Sequence, residues 1–262
     1  MNLEYLSRIK TLHFYTRWKW RVSTPDKYFK FIITMSFVYN APTFTEVDNV
    51  FPEGTKRTDK NTAGYTLNHV TFAERIEELG GEGDILEFGV CSGGTILPIG
   101  QKNPSRKVFG FDHFKGLEVT QQPTPSYAGW SEGAFRIGDP SYTWIPKTVE
   151  DVKRKCSVSP NIKIFVEDVH DMVEKEPSDF GIGKVGAIHI DLDIYEPTVS
   201  AFKFIDKCEW DELYFRFDDW HGHEPDYDHH ERKAFREWLD KHGYRFEIFE
   251  DGLNGGVKVW KN

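Results

Sequence analysis

Two groups of residues in this sequence have types and spacings suited to chemistry. In Ile188-His-Ile-Asp-Leu-Asp193 and Phe215-Arg-Phe-Asp-Asp-Trp220, aspartates follow short apolar runs. If those runs are strands of one open α/β sheet, Asp191, Asp218 and Asp219 fall at their C-terminal ends, the edge where ligands bind in such sheets. Like charges placed together raise one another's pKa unless something positive sits between them. A hard cation such as Mg2+, with carboxylate and water oxygens around it, supplies that charge. Asp191, Asp218 and Asp219 are therefore candidate metal ligands. Helix capping and solvated loop carboxylates are the structural alternative, and Asp193 in particular is placed to cap a helix beginning near Pro197.

The second group lies in Asp84-Ile-Leu-Glu-Phe-Gly-Val-Cys-Ser-Gly-Gly94. It reads as an apolar strand running through Glu87 and Gly89 into a glycine pair that opens a helix. Gly89, Gly93 and Gly94 remove side chains where a ligand approaches backbone, and the helix start offers N–H groups to it. About 20 residues further on, Asp112 ends the next apolar run, where a doubly wound sheet places its ribose-binding carboxylate. Together these features point to an adenosine site. Glu87 sits inside an apolar strand and needs a partner, either an amino group of the ligand or the following helix. Asp112 has ribose hydroxyls or a loop to cap, and Asp168 an adenine amino group or a helix N-terminus. His221, His223, His229 and His230 give the segment after Trp220 a metal-binding look, although histidines on a polar loop are commonly solvated. His221 and His223 follow the aspartates closely enough to transfer a proton.

The elements that must position these residues alternate along the chain. Apolar strands are expected at 85–90, 108–112, 162–166, 185–191 and 212–217, with helices beginning near Gly93, Thr148, Val169 and Pro197. This order implies an α/β fold with a parallel sheet covered by helices on both faces. A helix over 66–79 stops at Gly80-Gly81. Another, from about His230 to His242, leads into strands at 244–249 and 257–260. The turn between them is too short for a parallel crossover, so the C-terminal hairpin contributes one antiparallel strand to the sheet.

The 262 residues suit one domain with an N-terminal extension. The first 40 residues or so are basic and aromatic, and those from Asn40 to Asn61 are rich in Pro, Thr, Asp and Gly. Residues 1–62 are thus expected to form a helical arm and a loop or lid, with 63–262 as the main domain. The arm is a candidate surface for a homo-oligomer. A net charge of −9 argues against nucleic acid as a partner. The apolar run at 29–39 is too short to span a membrane. Cys91, Cys156 and Cys208 form an odd set without metal-ligand spacing, and no signal-peptide pattern is present, so a cytoplasmic location is expected.

Several motifs together resemble the macrocin O-methyltransferase family, S-adenosylmethionine-dependent enzymes acting on sugar hydroxyls of natural products. The resemblance covers roughly Tyr65 to Trp260. It rests on Tyr65-Thr66 ahead of a helix, Glu87-Phe-Gly-Val-Cys-Ser-Gly-Gly94, Phe111-Asp-His-Phe-Lys-Gly-Leu117 and Gly133-Ala-Phe135. His189-Ile-Asp-Leu-Asp-Ile-Tyr-Glu-Pro197 and Asp218-Asp219-Trp220 complete it. It implies a class I methyltransferase fold, S-adenosylmethionine held by Glu87, Gly89 and Asp112, and a divalent metal on Asp191, Asp218 and Asp219. Thr66, Ser92, Gly93, Gly94 and Asp168 complete the expected cofactor-binding set. Related metal-dependent O-methyltransferases often carry a lysine shortly after the first metal aspartate. Ile194 stands there in this chain, which leaves Asp191, Asp193 or His221 as candidates for the base. The expected substrate is a sugar hydroxyl of a glycan, a nucleotide sugar or a glycosylated natural product. Trp130, Tyr142 and Trp144 are candidate stacking surfaces for it.

Two other readings compete. His189 and Asp191 lie two apart on a strand, hence on one face, and resemble the start of a two-histidine, one-carboxylate iron site of an oxygenase. The other is a binding protein that keeps the fold without catalysis. A nicotinamide dehydrogenase fits less well, because the first loop lacks the Gly-x-Gly-x-x-Gly pattern.

Overall fold

The structure, a computed structural model, describes residues 72–124, 129–220, 228–251 and 254–261. The expected arm, lid, Thr66, His221 and His223 lie outside them. Seven strands form one sheet: β1 (Asp84–Phe88), β2 (Val108–Asp112), β3 (Ile162–Val166), β4 (Val185–Ile190), β5 (Glu212–Phe217), β6 (Arg245–Asp251) and β7 (Gly255–Trp260). Their order is β3-β2-β1-β4-β5-β7-β6. The first five are parallel, and β7 runs antiparallel to both neighbours, β5 and β6. The C-terminal hairpin contributes one antiparallel strand, as expected: β7 is inserted next to β5, and β6 forms the edge.

Among the described residues, helices α1 (Ile96–Lys102), α2 (Val149–Cys156), α3 (Val169–Met172), α4 (Pro177–Phe180), α5 (Tyr195–Ile205) and α6 (His230–His242) accompany the strands. Residues 72–79 are also helical, ending at Gly80. Local chemistry explains several boundaries. The Thr148 hydroxyl accepts from the Asp151 N–H and starts α2, and Gly243, at φ +65°, ends α6. The helix expected from Gly93 begins one turn later, at Ile96, because residues 91–95 form a turn.

Period-two alternation sends side chains of the buried strands to two cores. Leu86, Phe88, Ile188, Ile190, Phe215 and Phe217 enter an aromatic-rich cluster with α5 and α6. Ile85, Ala187 and Tyr214 pack with Phe72, Ile76 and α1 on the other side. That second face also buries a polar row. Glu87, His189, Arg216, Gly256 and Glu250 are successive cross-strand partners on β1, β4, β5, β7 and β6. Arg216 is fully buried and reaches Glu250 at 3.2 Å across β7. A Cβ on Gly256 would lie 3.1 Å from the Cβ of Glu250, so the glycine leaves room for that crossing. Removing one partner of a buried ion pair leaves an uncompensated charge. Glu250 keeps a second partner in Arg75, 2.9 Å from its Oε1, so the charge left behind is partly compensated and Arg216→Met is expected to cost about 2 kcal/mol in urea denaturation. A loss below about 1 kcal/mol would show that Glu250 and Asp218 do not depend on it.

Candidate active site

Chain order reverses at β1, whose neighbours are β2 and β4. A cavity of about 950 Å3 opens there, outside the carboxyl ends of β1 to β5. Its lining includes Gly89, Ser92, Gly94, Asp112, Asp168, Asp191, Asp193, Asp218 and Asp219, all read from the sequence as site residues.

The expected cofactor side is built on the β1 turn. Asp112 ends β2 and accepts from the N–H groups of Val90 at 3.0 Å, Cys91 at 2.7 Å and Phe114. It thus shapes the turn that lines the cavity. A carboxylate has about four acceptor positions, so capacity for one further donor such as a ribose hydroxyl remains. Asp168 caps α3 by accepting from the His170 N–H at 3.0 Å and also lines the cavity. Its structural and binding uses are compatible.

The glycines serve the protein more than the sequence suggests. Gly89 has φ +87°, and a Cβ there would sit 1.7 Å from the Asp191 carbonyl oxygen. Its missing side chain lets the ends of β1 and β4 meet, and the Asp191 N–H donates to the Phe88 carbonyl at 2.9 Å beside it. Gly93 does not line the cavity, since a Cβ there would meet Cys156 Sγ at 2.7 Å. Gly94 is more open, with Ser92 Oγ at 3.3 Å from such an atom.

Glu87 also departs from expectation. It is fully buried, does not line the cavity, and places Oε1 3.2 Å from His189 Nδ1. Mid-strand position turns it toward β4, away from any helix it could cap. Burial raises its pKa well above the usual carboxylate range, with the charges of Asp112 and Asp218 adding to the effect. His189 is likewise fully buried and lies against Phe72, its ring centroid 5.7 Å from that of Phe72. It does not share the cavity with Asp191, which removes the geometry that an iron site on these two residues needs.

The carboxylates regroup. Ligand atoms of Asp191, Asp193 and Asp219 all lie within 4.8 Å of one another, so Asp193 takes the place expected for Asp218. The physical reason is that Asp218 already has protein partners. Asn254 Nδ2 donates to its Oδ1 at 2.8 Å, and the Arg216 guanidinium stands 4.0 Å away. The other three have no such cation, and the cavity lining contains no lysine or arginine among the described residues. Burial and mutual repulsion push Asp191 and Asp219 well above the ordinary carboxylate range. Burial likewise moves Asp193 up to about 7, against hydrogen bonds from Asp219 and Trp130 that favour its charged form. Asp193 itself has φ +59°, a left-handed conformation that Asp tolerates better than most residues.

Two features escaped the sequence reading. Glu231, in the first turn of α6, is fully buried and accepts from Leu192 N–H at 2.8 Å, Asp193 N–H at 3.1 Å and Asp219 N–H at 3.2 Å. His170 joins Ser200 Oγ, 2.8 Å from Nδ1, to Glu118 Oε1, 2.9 Å from Nε2, and both His170 and Glu118 line the cavity. Neither cluster has a sequence signal, because its members are far apart in the chain and individually ordinary. Of the histidines after Trp220, His230 is buried and donates from Nε2 to the Pro123 carbonyl at 2.9 Å, with Trp130 edge-on to its ring. It is a packing residue.

No family model matches this sequence, and no curated protein matches it. Solved structures do match it. One is the O-methyltransferase NovP, at a TM-score of 0.50 and 19% identity, over 76% of this chain and 79% of that one. Another is CalS11, a calicheamicin methyltransferase, at a TM-score of 0.54 and 18% identity, over 90% of this chain and 100% of that one. The fold is that of a class I methyltransferase. Within it, the aspartates just described occupy the carboxyl edge of the sheet. No helix among the described residues is long and apolar enough to cross a membrane.

Proposed function

We propose that this chain is an S-adenosylmethionine-dependent O-methyltransferase that uses a divalent cation and acts on a sugar hydroxyl. Fold alone does not assign chemistry. One observation carries the reading: a single cavity joins Asp112 and Asp168, at the ends of β2 and β3, to the converging carboxylates Asp191, Asp193 and Asp219. The first pair suits an adenosine ribose and base. The second is an all-oxygen donor set whose mutual repulsion a hard cation such as Mg2+ would relieve. The narrower resemblance to macrocin O-methyltransferases belongs to this proposal, as does a cytoplasmic location.

In this mechanism Gly89, Ser92, Gly94 and Asp112 bind the cofactor, and Asp168 receives its base. Asp191, Asp193 and Asp219 hold the cation. A bound cation supplies positive charge that lowers the pKa of a nearby acceptor hydroxyl. The protein's main contribution is then to hold that oxygen in line with the methyl group, worth about 7 kcal/mol or more at best. When bound, S-adenosylmethionine would supply the methyl group to that oxygen and leave as S-adenosylhomocysteine, so the protein would have to take up the hydroxyl proton. Asp193 offers the cation one carboxylate oxygen, and its other oxygen would be left to receive that proton.

The lining also bears on the acceptor. It carries eight carboxylates and no lysine or arginine among the described residues. A phosphate entering it would meet like charge, so an unphosphorylated glycoside is the better acceptor. Trp130, Phe135 and Trp144 line the same cavity and offer aromatic faces to a sugar.

Calorimetric titration of S-adenosylhomocysteine, with Mg2+ and with chelator, tests the cofactor, and saturable binding is expected. Absence of binding in both conditions sinks the reading. In an acceptor screen, a glycoside should exceed its nucleotide-linked counterpart in kcat/KM by about tenfold, a difference of about 1.4 kcal/mol. The reverse order would reassign the acceptor. Binding of the cofactor product with no turnover on any sugar would favour the non-catalytic alternative.

A further inference from the structure

We infer that Glu231 is the positioning residue that assembles the cation-binding carboxylates, an inference that rests on the metal-assisted reading above. The aspartates come from two separate loops. Asp191 and Asp193 follow β4, and Asp219 follows β5. The last backbone bond between these strands runs from the Asp218 N–H to the Ile190 carbonyl at 3.0 Å, so the ladder does not reach Asp193 or Asp219 themselves. Glu231 does. One oxygen, Oε1, accepts from Leu192 and Asp193, and the other, Oε2, accepts from Asp219. A single fully buried carboxylate thus ties both loops to the start of α6.

The orientation of the side chain is informative. A glutamate in the first turn of a helix commonly satisfies its own helix N-terminus. Glu231 instead spends its acceptors on three N–H groups of other segments. Each of these N–H groups belongs to a proposed ligand residue or its immediate neighbour. Asp193, with φ +59°, is held in a conformation that leaves its carboxylate beside those of Asp191 and Asp219. Glu231 touches neither cofactor nor acceptor in this arrangement. Its effect on a cation passes through the loops.

Charge and shape can be separated by substitution. Glu231→Gln preserves size but has only one acceptor oxygen. It can serve the Leu192–Asp193 side or the Asp219 side, while its NH2 group faces N–H on the other. Glu231→Asp keeps both oxygens and withdraws them by one methylene, and gives the same reading should the glutamine variant fail to fold.

The test is titration of Mn2+ alone into the full-length protein and each variant, followed by water-proton relaxation. S-adenosylhomocysteine is titrated in parallel by calorimetry. Partners that orient metal ligands typically affect affinity 10- to 100-fold. The glutamine variant is expected to bind Mn2+ weaker by about that factor, with affinity for S-adenosylhomocysteine changed by less than about threefold. Equal Mn2+ affinity in wild type and variant, with wild type binding clearly, overturns the role of Glu231 and leaves the metal-assisted reading standing. Equal loss of both ligands also overturns it, since a general structural role would explain that result. No Mn2+ binding by the wild type overturns the metal-assisted reading, and this inference with it.

Discussion

Asp191→Ala is expected to lower turnover by about a thousandfold or more, equivalent to about 4 kcal/mol of transition-state stabilisation, while S-adenosylhomocysteine still binds. The size follows from the work assigned to the cluster, since a Lewis-acidic cation contributes several kcal/mol and Asp191 is central to holding it. The selectivity follows from the backbone around it. The Asp191 N–H bonds to Phe88, and its carbonyl packs on Gly89, whatever side chain the residue carries. Truncation therefore leaves the loop in place. The carboxylates expected to hold the nucleoside, Asp112 and Asp168, stand at the ends of other strands and keep their own backbone bonds. The neutral product is the right binding probe, because the sulfonium of the methyl donor would also feel the loss of a nearby negative charge. Unchanged turnover would sink the assignment of Asp191. Loss of product binding as well would move the nucleoside site toward β4.

Much of this arrangement is visible in the sequence because sheets translate chain order into place. An apolar run ending in Asp puts that Asp at the carboxyl edge, and Asp112, Asp191, Asp218 and Asp219 all line the cavity there. The C-terminal helix from His230 to His242 and the reversed strand follow from periodicity and a short turn in the same way. What the sequence cannot supply is side-chain partnership across strands. Glu87 and His189 share a register on β1 and β4, so their nearest polar neighbours are each other. Asp218 and Asp219 are adjacent in sequence, yet alternation sends one toward Arg216 and Asn254 and leaves the other with Asp193. Gly89 makes space for a neighbouring strand, a use indistinguishable in sequence from space for a ligand. Glu231 is hidden for the same reason, since its three donors lie on loops more than ten residues away.

Raising pH from 6.5 to 8 in the presence of chelator is expected to destabilise the protein, and Mg2+ should reverse the effect most strongly at the higher pH. The sign follows from which state holds more protons. Unfolded carboxyl groups titrate near 4, whereas burial and neighbouring charge hold Asp193 up to about 7 and Glu231 up to about 8. Asp191 and Asp219 are also raised well above the usual range. Between pH 4 and 8 the native state therefore binds more protons than the unfolded state, and stability falls as pH rises. The chosen window avoids two other groups. Buried His230, lowered to about 4, costs stability only as pH falls below 6.5. The thiol of Cys156, raised to about 11, acts only above the ordinary thiol range. These carboxyls interact and titrate as a group, and partial exposure screens some of the repulsion. A loss of about 2 kcal/mol, or about 4–8 °C in Tm, is the expected scale. A divalent ion replaces the protons, and its apparent affinity rises as the ligands ionise. Thermal unfolding at both pH values, with EDTA and with Mg2+, measures the linkage directly. A Tm that is flat across the window in EDTA would mean that the carboxylates are already ionised and compensated by the protein. An Mg2+ shift of equal size at both pH values would mean that the ion binds elsewhere.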